Sequence, residues 1–541
     1  MTLEVSMRIY PVRSAVIFGV LCLAAAATRL CAEAGTTTLS VDAATGRYAI
    51  SPDIYGIANY GLNAAFAKEI KLGNTRWGGD GASRYNWLVD SSNSGFDWYF
   101  IGGNGETTPV PGASPDLMVK TFAPADALIT IPIIPYVNKS SATNCSFPVS
   151  VYGAQQSVNP YVKVNGGECG NSLTTSGAQL ADKNISMNNI ANTTSLQQRW
   201  VEHLVSKFGT AADGGVKFYQ LDNEPGGWAN THRDIMPIEP AYSKIVQYGQ
   251  EYAAAVKAAD PSALILGPSD YTLGGWLGNP SQQNGLYAGQ YYLQQMAAYQ
   301  LAHGQRLVDY FDEHYYFNTS SPAAQLASTR TLWDPTYNSG TWVEQYYFDG
   351  PMQLIPRFKS WISKYYPGTK LSISEYSIDS GKKSIVDAIA EMDVLGLFGR
   401  EQLDFADMWY PPAPTDPIAY AFRMFRNYDG AGGEFGNTEV SAVSSNQAAL
   451  SIYAAQRSTD NAVTVLVINK TTAAITSAIA FTKLSLPTSA EVYTYSAADL
   501  ASIEHATSAP IKNSSLSYSF PGYSAVMFVI KPTAAAATSA P

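Results

Sequence analysis

Eight short apolar runs follow one another along the first four-fifths of the chain, at residues 54–58, 75–77, 128–133, 218–222, 264–267, 310–314, 371–374 and 405–409. Longer stretches separate them. Several of these, including 196–207, 241–258 and 383–398, carry apolar residues at three- and four-residue spacing, the mark of a helix with one buried stripe. Strand and helix in alternation imply parallel strands, because a parallel neighbour can be reached only through a crossover. Eight such units in series predict a (β/α)8 barrel.

After about residue 432 the texture changes to short strands between Ser/Thr/Asn turns, at 463–469, 475–481, 491–495, 517–520 and 525–530, which reads as a β-sandwich. Residues 38–42 and 47–50 share that texture ahead of the barrel, so the sandwich is expected to draw on both chain ends. The expected layout is a signal peptide over 1–34, N-terminal strands over 35–51, a barrel over 52–432, a sandwich over 433–532 and an Ala/Pro/Ser/Thr tail over 533–541. No repeat at solenoid periods is evident.

The leader rests on Arg8 and Arg13, an apolar run from Ala15 to Ala27, and Ala32-Glu33-Ala34, a small-x-small cleavage pattern. The run is short of the roughly 20 residues that cross a bilayer, so export without a membrane anchor is expected, to the medium or the periplasm. Cleavage after Ala34 leaves two of the four cysteines, Cys145 and Cys169, in a Gly/Asn/Ser-rich insertion over 139–195. Neither has metal-ligand spacing. A disulfide is favoured over two free thiols. A net charge of −10, from 44 acidic against 34 basic residues, offers no basic face for a phosphate backbone, which argues against nucleic acid as a partner.

Function in such a barrel sits at the C-terminal ends of the strands. Two glutamates stand there: Glu224, in Asp222-Asn223-Glu224-Pro225 after the fourth run, and Glu375, in Ser374-Glu375-Tyr376 after the seventh. Strands four and seven face each other across a barrel mouth, where two carboxyls can flank one glycosidic bond. Either glutamate alone reads equally well as a capping or surface carboxylate. Glu313, ending the sixth run, is the rival carboxylate.

These motifs, together with Arg76-Trp77-Gly78-Gly79-Asp80, Tyr85-Asn86-Trp87, Thr231-His232-Arg233-Asp234, Leu332-Trp333-Asp334-Pro335-Thr336-Tyr337 with Trp342, Val394 to Glu401, and Arg426-Asn427-Tyr428-Asp429-Gly430, resemble glycoside hydrolase family 44 over nearly all of the chain after the leader. The resemblance implies a retaining endo-β-1,4-glucanase of cellulase or xyloglucanase type, with Glu224 as acid/base and Glu375 as nucleophile. It implies that Asn223 meets a sugar 2-hydroxyl and that His314 lies near the nucleophile, with Tyr316 close by on the substrate side. Arg76 either orients Glu375 or forms a salt bridge under the rim. Trp409, ending the eighth run, and Trp77, Trp87, Trp333 and Trp342, at strand ends or in loops, are candidate stacking platforms, with ordinary core packing as the alternative for each. Asp80 departs from the family pattern, where Asn is expected, and the insertion differs too.

The resemblance implies no cofactor for the chemistry and allows a structural calcium, whose ligands are unassigned. The expected partner is a β-1,4-glucan, met by a monomer. The alternative is an exo-acting retaining β-glycosidase of another family with the same strand-four and strand-seven pair. A binding protein on a degenerate barrel would lack one glutamate, and a metal hydrolase would need a His-rich or HExxH ligand set that this chain does not have.

Overall fold

The computed structural model describes residues 37–532, apart from 105–109, 162–165, 182–183, 272–276, 279, 342–343, 349 and 382. The expected leader, the tail and Trp342 lie outside the described residues. The eight barrel strands are Gly56–Ile57, Asn74–Trp77, Asp126–Ile131, Phe218–Leu221, Leu264–Asp270, Tyr310–Tyr316, Lys370–Ser377 and Phe405–Met408. They form one parallel sheet in the order one, eight, seven, six, five, four, three, two. Thr75 Oγ1 donates to Ile57 O (2.8 Å) and Asn59 N to Arg76 O (3.1 Å), joining the second strand to the first and closing the ring.

Period-two alternation explains what fills the barrel. Leu128, Phe218, Leu266, Tyr310 and Phe405 make an apolar layer inside it. Two residues further along their strands stand Thr130 after Leu128, Gln220 after Phe218, Asp312 after Tyr310 and Asp407 after Phe405, all fully buried. The interior is therefore apolar below and polar above, toward the ends where the two glutamates lie. The first strand is shorter than expected because Pro52–Ile54 forms a 3₁₀ turn, with Ser51 accepting from Asp53 N.

The sandwich joins both chain ends, as the strand texture predicts. Leu39–Asp42 lies between Ser441–Ser444 and Ile475–Thr482 in a four-stranded sheet. The facing sheet has seven strands: Tyr48–Ala49, Thr438–Glu439, Leu450–Gln456, Val463–Asn469, Ser524–Ile530, Ser489–Ser496 and Asp499–Pro510. Its central strands are apolar on both faces for a reason. Val463, Val465, Val467, Val526 and Phe528 pack toward the small sheet, whereas Leu466, Ile468, Ala525 and Met527 pack into the barrel's core.

The helix Ile385–Arg400 is buried nearly all round, lying between the barrel and this sheet. It carries Asp393, which accepts from Lys470 Nζ (2.7 Å), Tyr453 OH (2.7 Å) and Thr329 Oγ1 (2.7 Å). Burial alone would raise this carboxyl; the charge and hydrogen bond of Lys470, with Thr329 and Ser451, reverse that and hold it below the ordinary range. Lys470→Met, which strands the buried charge, should cost about 3–5 kcal/mol in chemical denaturation. Because the folded-state value is depressed, the pair's contribution is present at neutral pH and fades as pH falls through that value. A variant as stable as wild type at pH 7 would refute this account.

Candidate active site

Arg76 ends the second strand with its side chain inside the barrel and fully buried. It acts as a three-way fork: Nε donates to Gln220 Oε1 (2.7 Å), one terminal nitrogen to Glu375 Oε2 (2.5 Å) and the other to Asn223 Oδ1 (2.6 Å). Strands two, four and seven are thus tied through one cation, in the geometry that guanidinium suits and ammonium does not. Asn223 Nδ2 donates in turn to Asp80 Oδ1 (2.7 Å), so both ends of its amide are oriented. Both glycines after Trp77 answer close approaches. A Cβ on Gly78 would meet Arg76 Nε at 2.4 Å, and one on Gly79 (φ 85°) would meet the Trp409 ring at 2.5 Å.

Glu375 also accepts from Tyr316 OH at Oε1 (2.5 Å). Its burial would raise the carboxyl; the charges of His314 and Arg76, then the hydrogen bonds from Tyr316 and Arg76, overcome this and hold it below the ordinary carboxylate range. Ionised Glu375 is therefore the resting form. His314 Nδ1 lies 2.8 Å from Glu224 Oε1 and 3.8 Å from Glu375 Oε2. Burial works against the charged ring, but Glu375 and the bond to Glu224 raise its basicity overall. Beneath the pair, Gln220 Nε2 donates to Ser374 Oγ (3.0 Å), and Asp312 accepts from Ser374 N (3.0 Å), Ser374 Oγ (2.7 Å) and Ser269 Oγ (2.7 Å). This lower network was not singled out in the sequence; its signal was the polar alternation in strands four, six and seven.

Oxygens of Glu224 and Glu375 and Nδ1 of His314 all lie within 4.8 Å of one another, the one such group of three or more His, Cys, Asp or Glu side chains among the described residues. Calcium takes six to eight oxygens. A set that includes an imidazole and already has Arg76 on Glu375 does not fit it. The arrangement suits instead an ionised nucleophile facing a second carboxyl across a space open to substrate, since the Glu224 side chain is 18% exposed and that of Glu375 7%.

The structure gathers Glu224, Glu375, Asn223, Arg76, His314, Tyr316 and Trp409 in one place. Trp409 is half-buried, with the Arg76 guanidinium 5.4 Å from its ring centroid. Trp87 is spent on packing instead, and so largely is Trp77, which is buried although it borders two surface depressions. Arg76 points inward, so alternation turns Trp77 out toward the helices, where it meets Tyr85 (4.6 Å) and Trp200 (5.8 Å). Trp87 Nε1 donates to Leu196 O (3.0 Å). Trp333 packs against the barrel core beneath the Arg400 guanidinium (4.2 Å). Glu313 points outward too, against Asp270 and the helix residues Tyr242 and Tyr292, because its neighbours Asp312 and His314 point inward. Burial, then Asp270 and Asp312, push it well above the ordinary range.

Exposed aromatics that the sequence reading passed over stand just beyond strand ends: Tyr60 after strand one, Tyr271 after strand five, Tyr410 after strand eight, and Trp98 in the loop after strand two. For Tyr60 and Tyr410 the signal was position, one or two residues past an apolar run. A depression of about 280 Å³ lined by Tyr60, Asp80, Asp97 and Trp409 adjoins one of about 370 Å³ that shares Tyr60 and Trp77 and continues to Leu117 and Phe122. Burial, reinforced by Asp97, Glu224 and Glu375, pushes the Asp80 carboxyl well above the ordinary range. In the insertion, Cys145 and Cys169 are joined as a disulfide across a separation of 24 residues.

The family model for glycoside hydrolase family 44 matches residues 91–319. Endoglucanase A of Paenibacillus lautus is 30% identical over 536 residues, covering 92% of this chain and 73% of that protein. A bifunctional glucanase-xylanase from a metagenome library superposes with a TM-score of 0.87 at 36% identity, covering 92% of this chain and 99% of that one. A Paenibacillus polymyxa xyloglucanase of the same family, solved with xyloglucan, gives a TM-score of 0.77 at 28% identity, covering 92% of this chain and all of that one.

Proposed function

The chain belongs to glycoside hydrolase family 44, and from that premise we propose that it is a retaining endo-β-1,4-glucanase of the cellulase or xyloglucanase type in which Glu375 is the nucleophile and Glu224 the acid/base. The observation that carries the site assignment is the spacing. Oxygens of the two carboxyls approach within 4.8 Å, closer to the roughly 5–5.5 Å separation of retaining pairs than to the roughly 6.5–9.5 Å of inverting pairs.

Glu375, already ionised by Arg76 and His314, attacks the anomeric carbon while Glu224 gives its proton to the departing oxygen. The glycosyl ester removes the negative charge from Glu375. Glu224, now a carboxylate, takes a proton from the water that cleaves the ester, and both residues return to their first states. Asn223, locked between Arg76 and Asp80, presents a fixed amide beside the acid, where a bond to the sugar 2-hydroxyl strengthens as the oxocarbenium-like transition state forms.

Endo-attack is supported by the two adjoining depressions and by the exposed aromatics on loops from strands one, two, five and eight, which offer ring faces for pyranose stacking along a groove. On carboxymethylcellulose or xyloglucan the enzyme is expected to collapse viscosity while reducing ends are still few. Viscosity falling only in step with released glucose would replace the groove with a pocket and favour the exo-acting alternative.

We read the protein as exported and monomeric. The leader motif and the disulfide suit an oxidising compartment, and no helix among the described residues is long and apolar enough to cross a membrane. The assignment of residues 52–432 to the barrel, with 35–51 and 433–532 to the sandwich, is supported by the strand pairing at both chain ends.

A further inference from the structure

Glu224 is held in a left-handed backbone conformation (φ 47°, ψ 57°), and so are its near neighbours Asp222 (φ 66°) and Ser269 (φ 60°). Side chains with a Cβ rarely occupy this region, and they persist there only when the surroundings fix them. Two buried carboxyls supply the fixing. On one side Asp222 Oδ2 accepts from Ile133 N (2.5 Å) and Ile134 N (2.9 Å), and its Oδ1 from Asn223 N (2.8 Å). On the other side strand five takes over. Glu224 N donates to Ser269 O (2.9 Å), Pro225 has no N–H to give, and Gly226 N donates to Asp270 Oδ1 (2.9 Å), which also accepts from Tyr271 N (2.8 Å).

Asp270 is completely buried, so it takes no part in the groove. We propose that Asp270 is a positioning residue for the reaction, acting through the Gly226 N–H to hold the turn that aims Glu224 at the leaving oxygen. This rests on the assignment of Glu224 as acid/base. Burial pushes the Asp270 carboxyl up to about 7 against the pull of its two N–H donors. Below neutral pH it therefore works as a neutral acceptor, and asparagine is its nearest mimic.

The test compares Asp270→Ala and Asp270→Asn with Glu224→Gln, measuring kcat and KM on xyloglucan and on a dinitrophenyl β-cello-oligosaccharide, whose leaving group needs little protonation. Misplacing a catalytic group by about 1 Å can cost on the order of 10²-fold in rate. Asp270→Ala is expected to lose kcat on that scale on xyloglucan with KM nearly unchanged, and to lose far less on the aryl substrate. Asp270→Asn should recover most of the loss. Should the alanine variant fail to fold, Asp270→Ser, too short to reach Gly226 N, replaces it. If Glu224→Gln discriminates between the substrates while the Asp270 variants lose equally on both, or lose nothing, the positioning role is overturned. If Glu224→Gln itself shows no discrimination, the acid/base assignment fails instead, whatever Asp270 does.

Discussion

Glu375→Gln is expected to abolish turnover of aryl glycosides and glucans alike, by on the order of 10⁵-fold or more, as removal of a covalent nucleophile does elsewhere. That factor corresponds to about 7 kcal/mol of transition-state stabilisation. No neighbour is expected to substitute: Glu224 is the proposed acid/base, and Glu313 is turned out of the barrel against Asp270. Glu224→Gln should behave differently, losing about 10²–10⁴-fold on xyloglucan, whose sugar leaving group needs a proton, and much less on a dinitrophenyl glycoside. In the second half-reaction that variant lacks a base, so azide, which needs none, should partly restore turnover of the aryl substrate and leave a β-glycosyl azide. Equal losses for every leaving group would reverse or abolish the role assignment. An inverted anomer in the first product, seen by NMR, would refute double displacement itself.

The barrel was legible because its strands are buried on both faces and so stand out as apolar runs. In all eight, the strand ends lie within three residues of the expected positions, the first being shortened by the turn at Pro52–Ile54. The sandwich was less legible where strands are wet. Asp499–Pro510, the longest strand among the described residues, pairs only with Ser489–Ser496 at a sheet edge and is mostly exposed, so its sequence carries no apolar signal.

Site residues at strand ends were readable for the same reason as the strands. Trp77 was not, because a large ring one residue beyond an inward-facing side chain is committed to the helix layer: Arg76 inside puts Trp77 outside. Applied at the sequence level, the same rule would have removed Glu313 as a rival, since Asp312 and His314 flank it. What alternation cannot reveal is the left-handed turn at Glu224, where Glu224 N donates to Ser269 O and Gly226 N to Asp270 Oδ1 of another strand.

Arg76→Met should lower kcat/KM by about 10²–10³-fold and move the acid limb of its pH profile upward. The rate loss is of the size expected when a preorganised charge beside the reacting groups is removed; the shift in the limb follows from the balance on Glu375. Burial pushes that carboxyl up, and His314 and Arg76 together more than reverse it. Without Arg76 the upward push is opposed mainly by His314 and Tyr316, so the nucleophile is protonated at a higher pH than in the wild type, and the acid limb of kcat/KM, which reports the free enzyme's base, rises with it. The same change carries a stability signature. In the wild type the depressed value means that Glu375 stabilises the fold above its unfolded-state pKa and loses that contribution as pH falls through the folded value. In the variant a buried carboxylate has lost its cation, which should cost about 3–5 kcal/mol at neutral pH, and acidification now relieves the strain by neutralising Glu375. The deficit relative to wild type should therefore shrink as pH is lowered. If Arg76 were only a salt bridge under the rim, the variant would be less stable with its acid limb unmoved; a limb that shifts together with a pH-dependent stability deficit identifies the fork as the device that keeps the nucleophile ionised.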